Sequence, residues 1–181
     1  VEFNFGYNGS ENFDPGNRFG FFPSGGLGWV ISNESFFMPL EKIVQFAKLR
    51  LTYGLVGNSN INSGDRRFAY IPTVNDAAAG YNFGKDREQN YTGKAIGEYA
   101  SRVSWETSKK FNLGIDFFIL DNKLNIQMDY FNENREGIFL RRASLPDYTG
   151  ITSAPYGNLG IVMNQGIDAS MSYTNHFGDF Y

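Results

Sequence analysis

Between Phe111 and Phe131 the chain reads F-N-L-G-I-D-F-F-I-L-D-N-K-L-N-I-Q-M-D-Y-F, two alternating runs joined by a tight polar turn. Successive side chains of a strand point to opposite faces, so a turn at Asp121-Asn122 dictates which residues meet. Ile119 then faces Leu124, Phe117 faces Ile126, Ile115 faces Met128 and Leu113 faces Tyr130, and all four pairs are apolar. The alternate positions pair Phe118 with Asn125, Asp116 with Gln127 and Gly114 with Asp129. One face of the ribbon is greasy and the other mostly polar, and a slip of one residue would exchange them.

A half-buried strand in a soluble sandwich alternates in the same way. Three features of the whole chain favour a membrane barrel over a sandwich. Its spans match the roughly 9 to 11 residues of a tilted transmembrane strand. Short and long connections alternate, and aromatic residues sit at the strand ends. The spacing predicts about six long antiparallel strands, as a segment of a transmembrane β-barrel: Val1 to Gly9, Phe19 to Ser32, Lys48 to Gly57, Val103 to Leu120, Leu124 to Phe131 and Ile161 to Tyr173. Asn33 to Ala47 reads as a connection in which Pro39 to Phe46 is expected to form a short helix, with Pro39 in its first turn. Asn58 to Ser101 and Asn132 to Gly160 read as long polar connections.

Bacterial barrels place short turns on the periplasmic side and long loops outside. The turn at Asp121-Asn122 is therefore expected to be periplasmic and the two long connections extracellular. By that count Asn33 to Ala47 falls on the periplasmic side and is longer than a turn requires. Lys109 shares the lipid-facing parity, where it would cost about 2 to 4 kcal/mol at the bilayer midplane, so it is expected above the membrane.

Composition narrows the alternatives. The 181 residues include 18 Phe and 11 Tyr, no cysteine, and a net charge of -3. Without cysteine there is no disulfide framework and no thiolate nucleophile or metal ligand. Basic residues come as pairs, Lys109-Lys110 and Arg141-Arg142, rather than as a stripe, which argues against a nucleic-acid surface. No apolar run approaches the roughly 18 residues of a membrane helix. Val1, Phe3, Phe5 and Tyr7 alternate with polar neighbours from the first residue, and Phe180-Tyr181 resembles the first step of another strand. The chain is thus expected to be a partial barrel domain over residues 1 to 181, incomplete at both ends and without a plug domain.

The residues also carry a resemblance. Phe21-Phe22-Pro23-Ser24 through Gly28-Trp29, Leu49-Arg50-Leu51-Thr52-Tyr53-Gly54 through Gly57-Asn58, and Trp105-Glu106-Thr107-Ser108 with Asn112-Leu113-Gly114-Ile115-Asp116 form an ordered series. Asn158-Leu159-Gly160 and Asn164-Gln165-Gly166-Ile167-Asp168 continue it. Together they resemble the successive signatures of SusC/RagA-type TonB-dependent transporters. The resemblance implies uptake of glycan oligosaccharides or peptides across the outer membrane of Bacteroidota-like bacteria. It further implies a SusD-like surface lipoprotein as lid, and energy from TonB-ExbB-ExbD acting through regions of the parent chain outside this segment. The competing reading is a soluble all-β carbohydrate-binding or adhesion module.

No enzyme site or cofactor is expected. His176, the sole histidine, sits in a predicted turn, and no second His or Cys completes a zinc set. Glu133 and Glu136 are read as ordinary loop carboxylates, and Asp14, Asn17, Asp121 and Asn122 as turn formers rather than calcium ligands. In a barrel, Asn112, Asp116, Asn125, Gln127, Asp129 and Asp168 would face the lumen. Tyr70, Tyr81, Tyr91 and Tyr99 are candidates for stacking on sugar rings or peptide groups, or for contact with a lid. Arg141 and Arg142 are candidates for gripping an acidic ligand.

Overall fold

The computed structural model describes residues 1–61, 68–99, 102–142 and 154–175, and the structural statements that follow concern those residues. The strands are β1 (Glu2–Gly9), β2 (Phe19–Val30), β3 (Val44–Asn58), β4 (Thr73–Phe83), β5 (Gln89–Glu98), β6 (Glu106–Ile119), β7 (Leu124–Arg141) and β8 (Tyr156–Tyr173). Six of them form one sheet in the order β1-β2-β3-β6-β7-β8, every neighbour antiparallel, while β4 and β5 pair only with each other.

The expected hairpin forms in the expected register. Ile119 pairs with Leu124, Phe117 with Ile126, Ile115 with Met128 and Leu113 with Tyr130. Asp121 and Asn122 both take positive φ, 54° and 63°, and the Lys123 N–H donates to the Leu120 carbonyl at 3.1 Å. Leu120 too stands at φ 56°, so three consecutive residues take positive φ in the four-residue connection between Ile119 and Leu124, a conformation that Asn and Asp enter at lower cost than other side chains.

Antiparallel pairing carries the two faces of this hairpin across the sheet. One row of partners runs Trp29, Leu49, Ile115, Met128, Ala169, and the next of the same parity runs Leu27, Leu51, Leu113, Tyr130, Ile167. Between them lies the row Gly28, Arg50, Gly114, Asp129, Asp168. No second sheet covers the apolar rows: Phe3 is 70% exposed, Ile167 69% and Met171 73%. A sandwich would have buried this face, so the chain builds a single-layer wall instead.

The cluster of buried apolar residues sits at one end of the wall. Phe13 and Val103 are fully buried, and Ile61, Ala69 and Phe139 join them, with Trp105 and Tyr156 packed alongside. Phe13 and Phe22 both meet the Trp105 ring edge-on, at 5.2 and 5.1 Å. Two connections therefore share one core, the one after β1 and the one between β3 and β6, and the facing ends of β7 and β8 close it through Phe139 and Tyr156. Asn158 locks it from β8, its amide donating to the carbonyls of Ser104 at 2.8 Å and Gly137 at 2.6 Å, while its Oδ1 accepts the Ser104 N–H at 2.9 Å. Gly137 stands at φ 73° beside a register shift in β7, a conformation that a side chain would strain.

The structure departs from the sequence reading at the connections. The stretch after Asn58 contains a full hairpin, β4 and β5, rather than an irregular loop. Strand β7 continues to Arg141 and β8 begins at Tyr156, which shortens the second connection at both ends. The helix expected over Pro39 to Phe46 does not form: a 3-10 helix, Ser35–Leu40, precedes it with Pro39 near its end, and Val44 to Phe46 belong to β3. Pairing of Val44 with Ile119, across a bulge before Phe46, draws that stretch into the sheet. His176 and Phe180-Tyr181 lie outside the described residues.

Candidate functional site

The polar face of the wall is organised around an arginine. Arg50 of β3 donates from Nε and Nη2 to both carboxylate oxygens of Asp116, at 3.0 and 2.9 Å, and its Nη2 also reaches Asp129 Oδ2 at 2.9 Å. A two-point guanidinium–carboxylate contact is both stronger and more directional than a single charged hydrogen bond. Arg50 is directly opposite Gly114, not opposite either aspartate. The guanidinium crosses diagonally to Asp116 and lies over Gly114 to reach Asp129 one strand further on. A Cβ built on Gly114 would meet the Arg50 Cζ and Nη2 at 2.7 Å, and would also run into Asp129. A side chain at position 114 would therefore displace the Arg50 or Asp129 side chain from the triad.

The remaining sequence candidates on this face are placed by register. Gln127 pairs with Asp116 and with Ser170, Asn112 with Thr52 and Phe131, and Asn125 with Phe118 and Ser172. Asp168 pairs with Asp129 and is exposed, so the aspartate that shares Arg50 faces a second carboxylate across the β7–β8 ladder. Toward the core end the same face carries another charged group. The Ser108 hydroxyl donates to Glu133 at 2.6 Å, Arg135 donates to Glu133 at 3.0 Å, and Lys110 stands 3.8 Å from it. Glu106 lies 3.5 Å from Arg135. Glu136 instead binds Lys109 at 3.1 Å, so Glu133 and Glu136 serve different partners and do not converge on a common point.

The loop candidates divide into separate places. Tyr81 and Tyr91 are cross-strand partners in the β4–β5 ribbon. Phe83 contacts both edge-on, at 5.0 and 5.6 Å, and all three rings are more than half exposed. Tyr70 packs instead against Phe68, at 6.2 Å. Tyr99 is half-buried just beyond β5. Arg141 ends β7 opposite Tyr156, and the Arg142 N–H donates to the Pro155 carbonyl at 2.9 Å, with both side chains exposed. Sequence reasoning missed Arg50 because the β3–β6 pairing spans the whole 59–105 connection, and missed Ser108 and Lys110 because the strand expected to end at Phe131 continues and brings Glu133 and Arg135 opposite them. It also missed Phe83, whose signal was its alternation with Tyr81.

A one-layer antiparallel wall, apolar on one face, ion-paired on the other and carrying its long connections at one end, is a segment of a transmembrane β-barrel. No protein-family model matches the chain. Among curated proteins it is 33% identical over 169 residues to the TonB-dependent receptor SusC of Bacteroides thetaiotaomicron, and 32% identical over 168 residues to the TonB-dependent receptor P3 of Formosa agariphila. Each match covers 92% of this chain and 16% of the relative, so the chain spans about a sixth of the length of the curated relatives it matches. Among solved structures it superposes on the RagAB peptide importer in its open-open state with a TM-score of 0.74 at 25% identity, covering 98% of this chain and 18% of that one. The closed-closed state of RagAB gives 0.73 at 23% identity. The chain belongs to the SusC/RagA-type TonB-dependent transporters, as a fragment of their barrel.

Proposed function

We propose that the parent protein of this segment is an outer-membrane active transporter that imports glycan oligosaccharides or peptides. In this reading the segment is a partial barrel domain, TonB-ExbB-ExbD supplies energy through other parts of the chain, and a SusD-like lipoprotein closes the outer mouth. The observation that carries it is the two-faced wall itself, whose apolar rows suit lipid while Arg50, Asp116 and Asp129 suit a hydrated lumen. Asn112, Asn125, Gln127 and Asp168 share the lumen side. Tyr81 and Tyr91, with Phe83, offer exposed π-faces to a sugar ring, a peptide group or the lid, and Tyr70, Tyr99, Arg141 and Arg142 are secondary candidates for the same contacts. No residue is assigned a catalytic role and no cofactor is required.

The test is transport by the parent strain. Deleting the parent gene should abolish uptake of one class among defined labelled oligosaccharides and peptides, and loss of TonB should reproduce the defect. The Tyr81→Ala/Tyr91→Ala variant should slow uptake while the barrel still assembles in the outer-membrane fraction. A parent protein that partitions into the aqueous phase without detergent, or uptake indifferent to TonB, would overturn the proposal.

A further inference from the structure

The connection between β2 and β3 is longer than its position needs. Val44 of β3 pairs with Ile119, the residue before the Leu120–Lys123 turn, so this connection and that turn lie at the same end of the wall. Leu120 to Lys123 suffice to make that turn, yet this connection runs from Ile31 to Ile43 and folds into two 3-10 segments, Ile31–Asn33 and Ser35–Leu40.

Its apolar residues are sorted. Phe37 is buried, at 7% exposure, whereas Phe36, Met38, Leu40 and Ile43 are each half or more exposed. The outward set continues the apolar face of the sheet. Trp29 occupies an apolar row at the end of β2, opposite Leu49. Its indole N–H donates to the Glu34 carboxylate at 2.9 Å, and its ring meets Phe36 at 6.2 Å and 61°. These two contacts hold the start of the 3-10 helix against the apolar side of the wall, not beneath the polar one.

The backbone is suited to a poorly hydrated boundary. Phe37 N–H donates to Glu34, Glu41 N–H to Met38 and Ile43 N–H to Leu40, while Pro39 has no N–H to satisfy. Each N–H paired within the chain lowers the cost of leaving water, and a Trp and Phe cluster favours the level of the lipid headgroups.

We propose that Phe36 to Ile43 is an interfacial anchor. Phe36, Met38, Leu40 and Ile43 insert into the phospholipid leaflet at the short-turn end of the barrel, with Glu34, Glu41 and Lys42 at the headgroup level. The segment extends the lipid contact of the wall past the last hydrogen-bonded residue of β2 and fixes the barrel's depth. This rests on the reading of the sheet as a membrane wall; the occupant is lipid, by continuity with the apolar rows that end at Trp29.

The experiment uses the full-length parent transporter in bilayers of phosphatidylethanolamine and phosphatidylglycerol. Single nitroxides are introduced through Phe36→Cys, Met38→Cys, Leu40→Cys and Ile43→Cys, with Leu51→Cys on the apolar wall and Thr52→Cys on the polar wall as references. Collisions with oxygen and with a water-soluble nickel chelate report depth. The anchor labels should favour oxygen several-fold over the Thr52 label and read shallower than the Leu51 label. Nickel access equal to that of Thr52 would show the segment standing in water, and suppression of both collisions would show protein covering it; either result overturns the anchor. If the Leu51 label itself reads as aqueous, the membrane-wall reading fails instead. Should Phe36→Cys disturb the Trp29 contact and fail to fold, Met38 and Leu40 lie outside that contact and decide the question.

Discussion

Arg50 reaches Asp129, a carboxylate two strands away, by lying across the backbone of Gly114, the one residue of the row between them that has no side chain. The three charged side chains are 28%, 19% and 18% exposed, well short of full hydration. Removing the cation leaves two carboxylates facing one another with no shared donor. Arg50→Met is expected to lower the unfolding free energy of the parent barrel by about 1 to 3 kcal/mol, between the values for exposed and buried pairs. Chemical denaturation in lipid or detergent, compared with Asp129→Asn, measures it.

Gly114→Ala acts on the same triad from the other direction. Its new Cβ would lie 2.7 Å from the guanidinium, which must swing away from at least one aspartate. The loss should resemble that of Arg50→Met, and the double variant should lose much less than the sum of the two. Unfolding of the four proteins in the cycle reads the coupling.

Substitutions on the apolar rows should depend on depth. Ile115→Lys, centred between Leu49 and Met128, is expected to cost about 2 to 4 kcal/mol, as a charge at the bilayer midplane does. The natural Lys109 has the same parity but sits beside Glu136 at 3.1 Å and is 45% exposed, so Lys109→Met should change stability by less than about 1 kcal/mol. Folding equilibria of the parent barrel into vesicles distinguish the two sites.

The core at the loop end is expected to behave as a local unit. Phe13→Ala empties a fully buried site against Trp105, and truncations of buried Phe cost about 3 to 5 kcal/mol. Most of the wall does not touch that site, so the loss should appear as local opening. Hydrogen exchange should accelerate around Asn12, Ser104 and Asn158 while the amides of β6 and β7 near the Asp121-Asn122 turn keep their protection.

Nearest-neighbour structure was legible because its causes are local. The β6–β7 register follows from the period of the side chains and from two residues that tolerate positive φ, and it was readable to the residue. The membrane-barrel class followed from the length of the spans, the asymmetry of short and long connections and the aromatics at the strand ends, since a sandwich shares the alternation. The β4–β5 ribbon was not legible, since its glycines and alanines, Ala77-Ala78-Ala79-Gly80, blur the alternation that marks a strand. The aspartates of the polar face were identified, but their cation was not.

The sequence by itself determined which residues share a face, because alternation along a strand is a property of the backbone alone. The tertiary structure decided which strands are neighbours and in what register. Placing β3 against β6 across a long connection is what brings Arg50 over Gly114 and gathers Phe13, Val103 and Phe139 into one core. Those contacts depend on chain closure between distant segments, which no local pattern encodes.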